Sequence, residues 1–107
     1  MLKIPEDRAF IIAEAATCHA DASPEWRIAK ALTCIEKAAQ AGADAVKFQF
    51  FTEHLSGLDI EYDMFCWIDG DKERAERWMR SILALATWMK LKAQAEELGL
   101  VFLASVF

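Results

Sequence analysis

The stretch Ala41-Gly42-Ala43-Asp44-Ala45-Val46-Lys47-Phe48-Gln49 decides the reading of the fold. It joins the end of a helix to a strand. Gly42 suits the left-handed position just past a helix, where a side chain would clash. From Ala45 to Phe50 the residues alternate with period two, so Val46, Phe48 and Phe50 share one face and Ala45, Lys47 and Gln49 share the other. An amine and an amide projecting from the end of an otherwise buried strand are costly unless they have partners. That combination predicts a ligand-binding strand in a parallel α/β sheet.

The flanking sequence extends the pattern in both directions. Phe10 to Ala16 reads as a short buried strand. Ser23-Pro24-Glu25 marks a helix start, with Ser23 as N-cap, Pro24 in the first turn and an acid near the positive end of the helix dipole. That helix is expected to run to about Ala41, with Ile28, Leu32, Ile35 and Ala39 on one stripe. Thr52 to Gly70 has no clean period and reads as an extended acidic and aromatic loop. Asp71 caps a helix with Ala75, Trp78, Met79, Ile82, Leu83 and Ala86 at helical spacing, and Thr87 restarts one with Trp88, Leu91, Ala95 and Leu98 on one face. Gly99 ends it, and Leu100 to Phe107 is a third strand.

Strands alternating with helices predict right-handed βαβ units and a parallel sheet. A complete (β/α)8 TIM barrel needs eight such units and roughly 250 residues. The 107 residues of this chain form at most one domain. Residues 1–107 are therefore expected to be the opening segment of a barrel, with its first three strands and their connecting helices, cut after the third. A small three-stranded open sheet is the alternative.

Composition narrows the functional classes. The chain is 55% hydrophobic and 27% charged, with a formal charge of -5, which gives no general attraction to nucleic acid or anionic membrane. No secretory or transmembrane run is visible. Cys18, Cys34 and Cys66 make no CxxC pair and read as reduced thiols of a cytoplasmic protein. A homo-oligomer is the expected assembly.

Functional side chains of parallel α/β folds sit at the C-terminal ends of strands. Here those ends carry Glu14, then Lys47 and Gln49, then Ser105. If the three faces point the same way, a carboxylate, an amine, an amide and a hydroxyl converge, and Glu14 and Lys47 can pair. A structural ion pair is the bland reading of that couple. His19 lies just past the first strand, in a loop beside the site; a lone histidine there is a hydrogen-bonding residue before it is a metal ligand. His54 reads as a surface residue, and Trp78 and Trp88 as core. Tyr62, Phe65 and Trp67 could close over a ligand or contact another subunit.

At IIAEAATCH (11–19), AGADAVKFQ (41–49) and ELGLVFLASVF (97–107) the chain resembles the N-terminal part of the N-acetylneuraminate (sialic acid) synthase family. The resemblance implies a (β/α) barrel that condenses phosphoenolpyruvate with N-acetylmannosamine or a related aldose and releases phosphate. It also implies a divalent metal, manganese or magnesium, whose histidine ligands in the family lie beyond the stretch matched here, so that the 107-residue chain alone is expected to be inactive. Glu14 matches an acid near the reacting sugar, and Lys47 and Gln49 match residues that contact phosphoenolpyruvate and sugar. Ser105 stands where the family has a threonine able to hydrogen-bond phosphoenolpyruvate. His19 matches the histidine of an asparagine–histidine pair whose asparagine is Cys18 here. Asp21, Phe50 and Val106 also depart from the pattern, which leaves the identity of the sugar open. Another phosphate-handling barrel, a deoxy-sugar-acid phosphate synthase, and a non-catalytic self-associating barrel fragment are the competing readings.

Overall fold

The computed structural model describes residues 3–53 and 72–106. The strands are β1 (Ile12–Ala16), β2 (Ala45–Phe50) and β3 (Val101–Val106), and the helices are α1 (Pro24–Gln40), α2 (Lys72–Met79) and α3 (Leu85–Glu97). The strands form one parallel sheet in the order β1-β2-β3. The expected order of elements and the parallel α/β sheet of a partial barrel are therefore present. Most of the 52–70 loop, with His54, Tyr62, Phe65, Cys66 and Trp67, lies outside the described residues, as does Asp71.

Both long helices end in the same way. Past α1, Gly42 (φ +81°) donates its N–H to Ala39 O, and Ala43 N–H reaches Ala38 O. Past α3, Gly99 (φ +78°) donates to Glu96 O, and Leu100 N–H reaches Ala95 O. These paired bonds satisfy carbonyls that the helix leaves unmet and turn the chain directly into the next strand. A Cβ at either glycine would touch nothing within 4 Å, so the backbone angle demands glycine and the available space does not.

Other boundaries differ from the expectation. Ser23 does occupy the N-cap of α1, but its hydroxyl donates to Glu25 and makes no bond to the helix backbone. The apolar run from Ala75 to Ala86 is not one helix. It breaks after Met79, because Ser81 N–H turns back to Trp78 O while the Ser81 hydroxyl takes Arg77 O, and Leu83 N–H is drawn to Phe51 O beyond the end of β2. The next helix begins at Leu85, whose N–H is capped by the Glu53 carboxylate at 2.9 Å. β1 begins at Ile12, two positions after the expected Phe10.

The core lies on the Val46–Phe48 side of the sheet. Ala31, Ile35 and Ala38 of α1 and Trp88, Leu91 and Ala95 of α3 cover it, with Ile28, Leu32 and Ala39 partly buried. The other face carries Ile12 (46% exposed) and the half-buried Val101 and Leu103. Parallel sheets are normally covered on both sides. Among the described residues only one side is covered by helices, as expected for part of a barrel wall.

At the opposite end from the strand tips, Asp44 ties the N-terminal segment to the sheet. Its carboxylate takes both terminal nitrogens of Arg8 (2.6 and 2.8 Å) and Ile11 N–H (2.8 Å). The Arg8 hydrogen bond, helped by the Ile11 amide, holds the Asp44 carboxyl down at about 2. A carboxylate depressed in the folded state adds stability above its unfolded pKa, near 4, and that stability is lost as pH falls through the folded value. Chemical denaturation midpoints should therefore fall between about pH 4 and pH 2, and Asp44→Asn should flatten that part of the profile. An unchanged profile in the variant would remove Asp44 from the account.

Candidate functional site

The strand register builds the site. Glu14 is the lateral partner of Lys47, and Gln49 is the partner of Ser105. Laterally paired residues of parallel strands share a face, and so do residues two apart on one strand. All four side chains therefore project from one face at the C-terminal end of the sheet, opposite Val46 and Phe48. Lys47 Nζ lies 3.5 Å from Glu14 Oε2, with side-chain exposures of 37% and 51%. This is a wet ion pair, so the cost expected for a buried amine does not arise. Gln49 and Ser105 are half-buried, and neither side chain has a hydrogen-bond partner among the described residues.

A bulge shapes the carboxylate's end of the site. The β1–β2 register slips between Glu14 and Ala16, and Ala16 has φ +48°. A left-handed alanine is strained, and such strain is often held at functional positions. The bulged backbone turns Ala16 N–H onto Glu14 Oε1 at 3.2 Å, so Glu14 is held by an amide on one oxygen and by Lys47 on the other. Nothing in the strand's alternation announced the bulge.

His19 is not brought to this pair. It is fully buried and packs edge-on against Phe48 and Trp88, with ring centroids 5.5 and 5.3 Å away. Nε2–H donates to Ser81 O at 2.8 Å, and Nδ1 has no partner among the described residues. Burial pulls its pKa below the ordinary histidine value; the Ser81 carbonyl opposes this, and the nearby Arg27 charge reinforces it. Phe48 lies on the sheet face opposite Lys47, so the imidazole belongs to the helix-covered core. Its visible work is to fasten the β1–α1 loop to the turn between α2 and α3.

Arg27 and Arg77, which carried no weight in the sequence reading, complete that fastening. Arg27 reaches Asp21 O (2.6 Å) and Ile82 O (3.0 Å), and Arg77 Nε donates to the buried Thr17 hydroxyl (2.9 Å). Ile82 and Thr17 are 55 and 60 residues away from these arginines in sequence, and no local spacing signals such contacts. Cys18 is exposed and Cys34 is half-buried; both are free thiols, and burial raises the pKa of Cys34. Among the described residues, no three His, Cys, Asp or Glu side chains gather in a way that could hold a metal ion, and no helix is long and apolar enough to cross a membrane.

A sheet of parallel strands joined by helices, with polar side chains gathered at its C-terminal edge, is the architecture of part of a (β/α) barrel. The chain belongs to the NeuB family, whose model matches residues 34–107. Its fold is similar to the crystal structure of N-acetylneuraminic acid (sialic acid) synthetase from Leptospira borgpetersenii serovar Hardjo-bovis in complex with citrate, with a TM-score of 0.65 and 26% identity. The match covers 92% of this chain and 29% of that one, so the chain spans less than a third of that protein's length. No curated protein matches the chain.

Proposed function

We propose that this chain forms the opening wall of a sialic-acid-synthase-like barrel that condenses phosphoenolpyruvate with an N-acetylmannosamine-like aldose. The observation that carries the reading is the rung made by Glu14 and Lys47, with Gln49 and Ser105 one pleat above it on the same face. In this chemistry the methylene carbon of phosphoenolpyruvate attacks the aldehyde carbon, a C–C bond forms and the aldehyde oxygen takes up a proton. Water adds to the cation left at the neighbouring, phosphate-bearing carbon and loses a proton, and the C–O bond to phosphate then breaks. Lys47 neutralises part of the phosphoenolpyruvate charge, which is worth more in a closed pocket than in water. Gln49 and Ser105, both without side-chain partners among the described residues, offer hydrogen bonds to the same substrate. Glu14, held by Ala16 N–H and Lys47, is placed to hydrogen-bond the developing sugar hydroxyl. His19 supports the loop beside the site.

The family's divalent metal, manganese or magnesium, would act as a Lewis acid on the aldehyde. The described residues do not form a site for it, so Glu14, Lys47, Gln49 and Ser105 account for substrate contacts alone. A cytoplasmic, homo-oligomeric enzyme is part of the same reading.

Phosphate release tests the reading. The purified 107-residue polypeptide should release none from phosphoenolpyruvate and N-acetylmannosamine, since too little of the pocket is present. The same segment within a complete barrel should release phosphate only when both substrates are supplied. Release that requires a phosphorylated aldose instead would assign the chain to the deoxy-sugar-acid phosphate synthases. Activity of the isolated polypeptide that Lys47→Ala abolishes would overturn the requirement for a larger barrel.

A further inference from the structure

A second polar site lies outside the rung. The loop residues 20–22, just after β1, and one side of α2 enclose a groove of about 690 Å³, within the usual size of small-molecule clefts. None of Glu14, Lys47, Gln49 or Ser105 lines it. Its walls come from distant parts of the chain and are tied at the base: Asp21 N–H donates to Arg80 O at 3.1 Å, and Arg77 Nε donates to Thr17 at 2.9 Å. The groove is therefore set by tertiary contacts.

Six charged side chains line it, Asp21, Glu73, Arg74, Glu76, Arg77 and Arg80, and they divide their labour; Arg74 is already engaged. Asp21 is already committed, to Lys30 at 2.7 Å and to Ser23 N–H at 2.9 Å, and the Lys30 bond holds its pKa below the ordinary value. Arg77 spends only Nε on Thr17, which leaves both terminal nitrogens without partners among the described residues. The Arg80 side chain has no partner there either, nor do the carboxylates of Glu73 and Glu76. Arg80 N–H still bonds Glu76 O, so Arg77 and Arg80 keep helical i,i+3 spacing and lie side by side. Two neighbouring guanidinium groups suit a carboxylate, whose oxygens accept paired N–H donors. Two uncommitted carboxylates suit hydroxyl donors.

We propose that the groove between the β1–α1 loop and α2 binds a small hydroxylated carboxylate of the sugar-acid class, with Arg77 and Arg80 on its carboxylate and Glu73 and Glu76 on its hydroxyls. The inference does not depend on the synthase reading. Amide NMR of the 15N-labelled chain, titrated separately with gluconate, glucose and inorganic phosphate, tests it. Gluconate should shift residues 20–22 and 73–80, while glucose and phosphate, which each carry half of the recognised chemistry, should do so much more weakly. R80Q, which breaks no internal bond of the Arg80 side chain, should weaken gluconate roughly tenfold, the effect of losing one charge-assisted hydrogen bond. R80K keeps the charge but loses the fork and should fall between the two. No gluconate response at about 10 mM, well above a millimolar Kd, would overturn the proposal. So would a response that R80Q leaves intact, or phosphate binding as strong as gluconate.

Discussion

Trp88→Ala should destabilise the folded chain by about 3–5 kcal/mol, the usual cost of deleting a large buried aromatic side chain. Trp88 is 2% exposed and touches every layer of the core. Its indole meets His19 of the β1–α1 loop, Phe48 and Phe50 of β2, and Phe102 of β3, with ring centroids 5.2–6.2 Å away. Nε1–H also donates to Phe51 O at 2.9 Å. That carbonyl keeps a second donor, Leu83 N–H at 3.1 Å, so the lost hydrogen bond should cost only about 1 kcal/mol of the total. Trp88→Phe isolates the smaller share and guards against a fully unfolded alanine variant. Urea denaturation measures both. A loss below about 1 kcal/mol for alanine would show that the helix layer can close over the gap, contrary to the cavity cost expected here.

Lys47→Met should weaken phosphoenolpyruvate binding by about tenfold to a hundredfold in a complete barrel carrying this segment, while barely changing the stability of the 107-residue chain by itself. The first figure is the worth of a charge-assisted hydrogen bond to a bound anion, on the order of 1.5–3 kcal/mol. The second follows from the ion pair itself. Were it buried, losing one partner would cost roughly 3–5 kcal/mol. At 3.5 Å, with Lys47 37% and Glu14 51% exposed, it belongs with surface pairs worth about 0–1 kcal/mol. Glu14 would also keep its bond from Ala16 N–H. Methionine preserves most of the stem and its packing. Calorimetric titration of the variant in the complete barrel and thermal melting of the variant 107-residue chain separate the roles. A large drop in Tm with unchanged affinity would make Lys47 a structural residue.

Much of the fold was legible because its signals are local. Gly42 and Gly99 mark helix ends by a backbone angle that few other residues tolerate. The alternation in Ala45–Phe50 assigns Lys47 and Gln49 to one face and Phe48 to the other, whatever packs on them. Ser23-Pro24 located the start of α1, although the hydroxyl cap did not form. The break after Met79 was not legible, because Trp78, Met79, Ile82 and Leu83 fit a continuous apolar stripe. Phe51 O and Glu53 decide it by capturing the amides of Leu83 and Leu85 from the far side of β2.

The candidate site divides along the same line. Sequence alone determined which side chains could meet at the strand ends, because period-two alternation is a property of any strand, and parallel pairing then brought Glu14 beside Lys47. Only the tertiary structure decided that this pair is wet, that a bulge aims Glu14, that His19 lies in the aromatic core, and that Arg77 and Arg80 border a separate groove. Exposure and long-range hydrogen bonds depend on which distant segments pack together. Local periodicity carries no record of that.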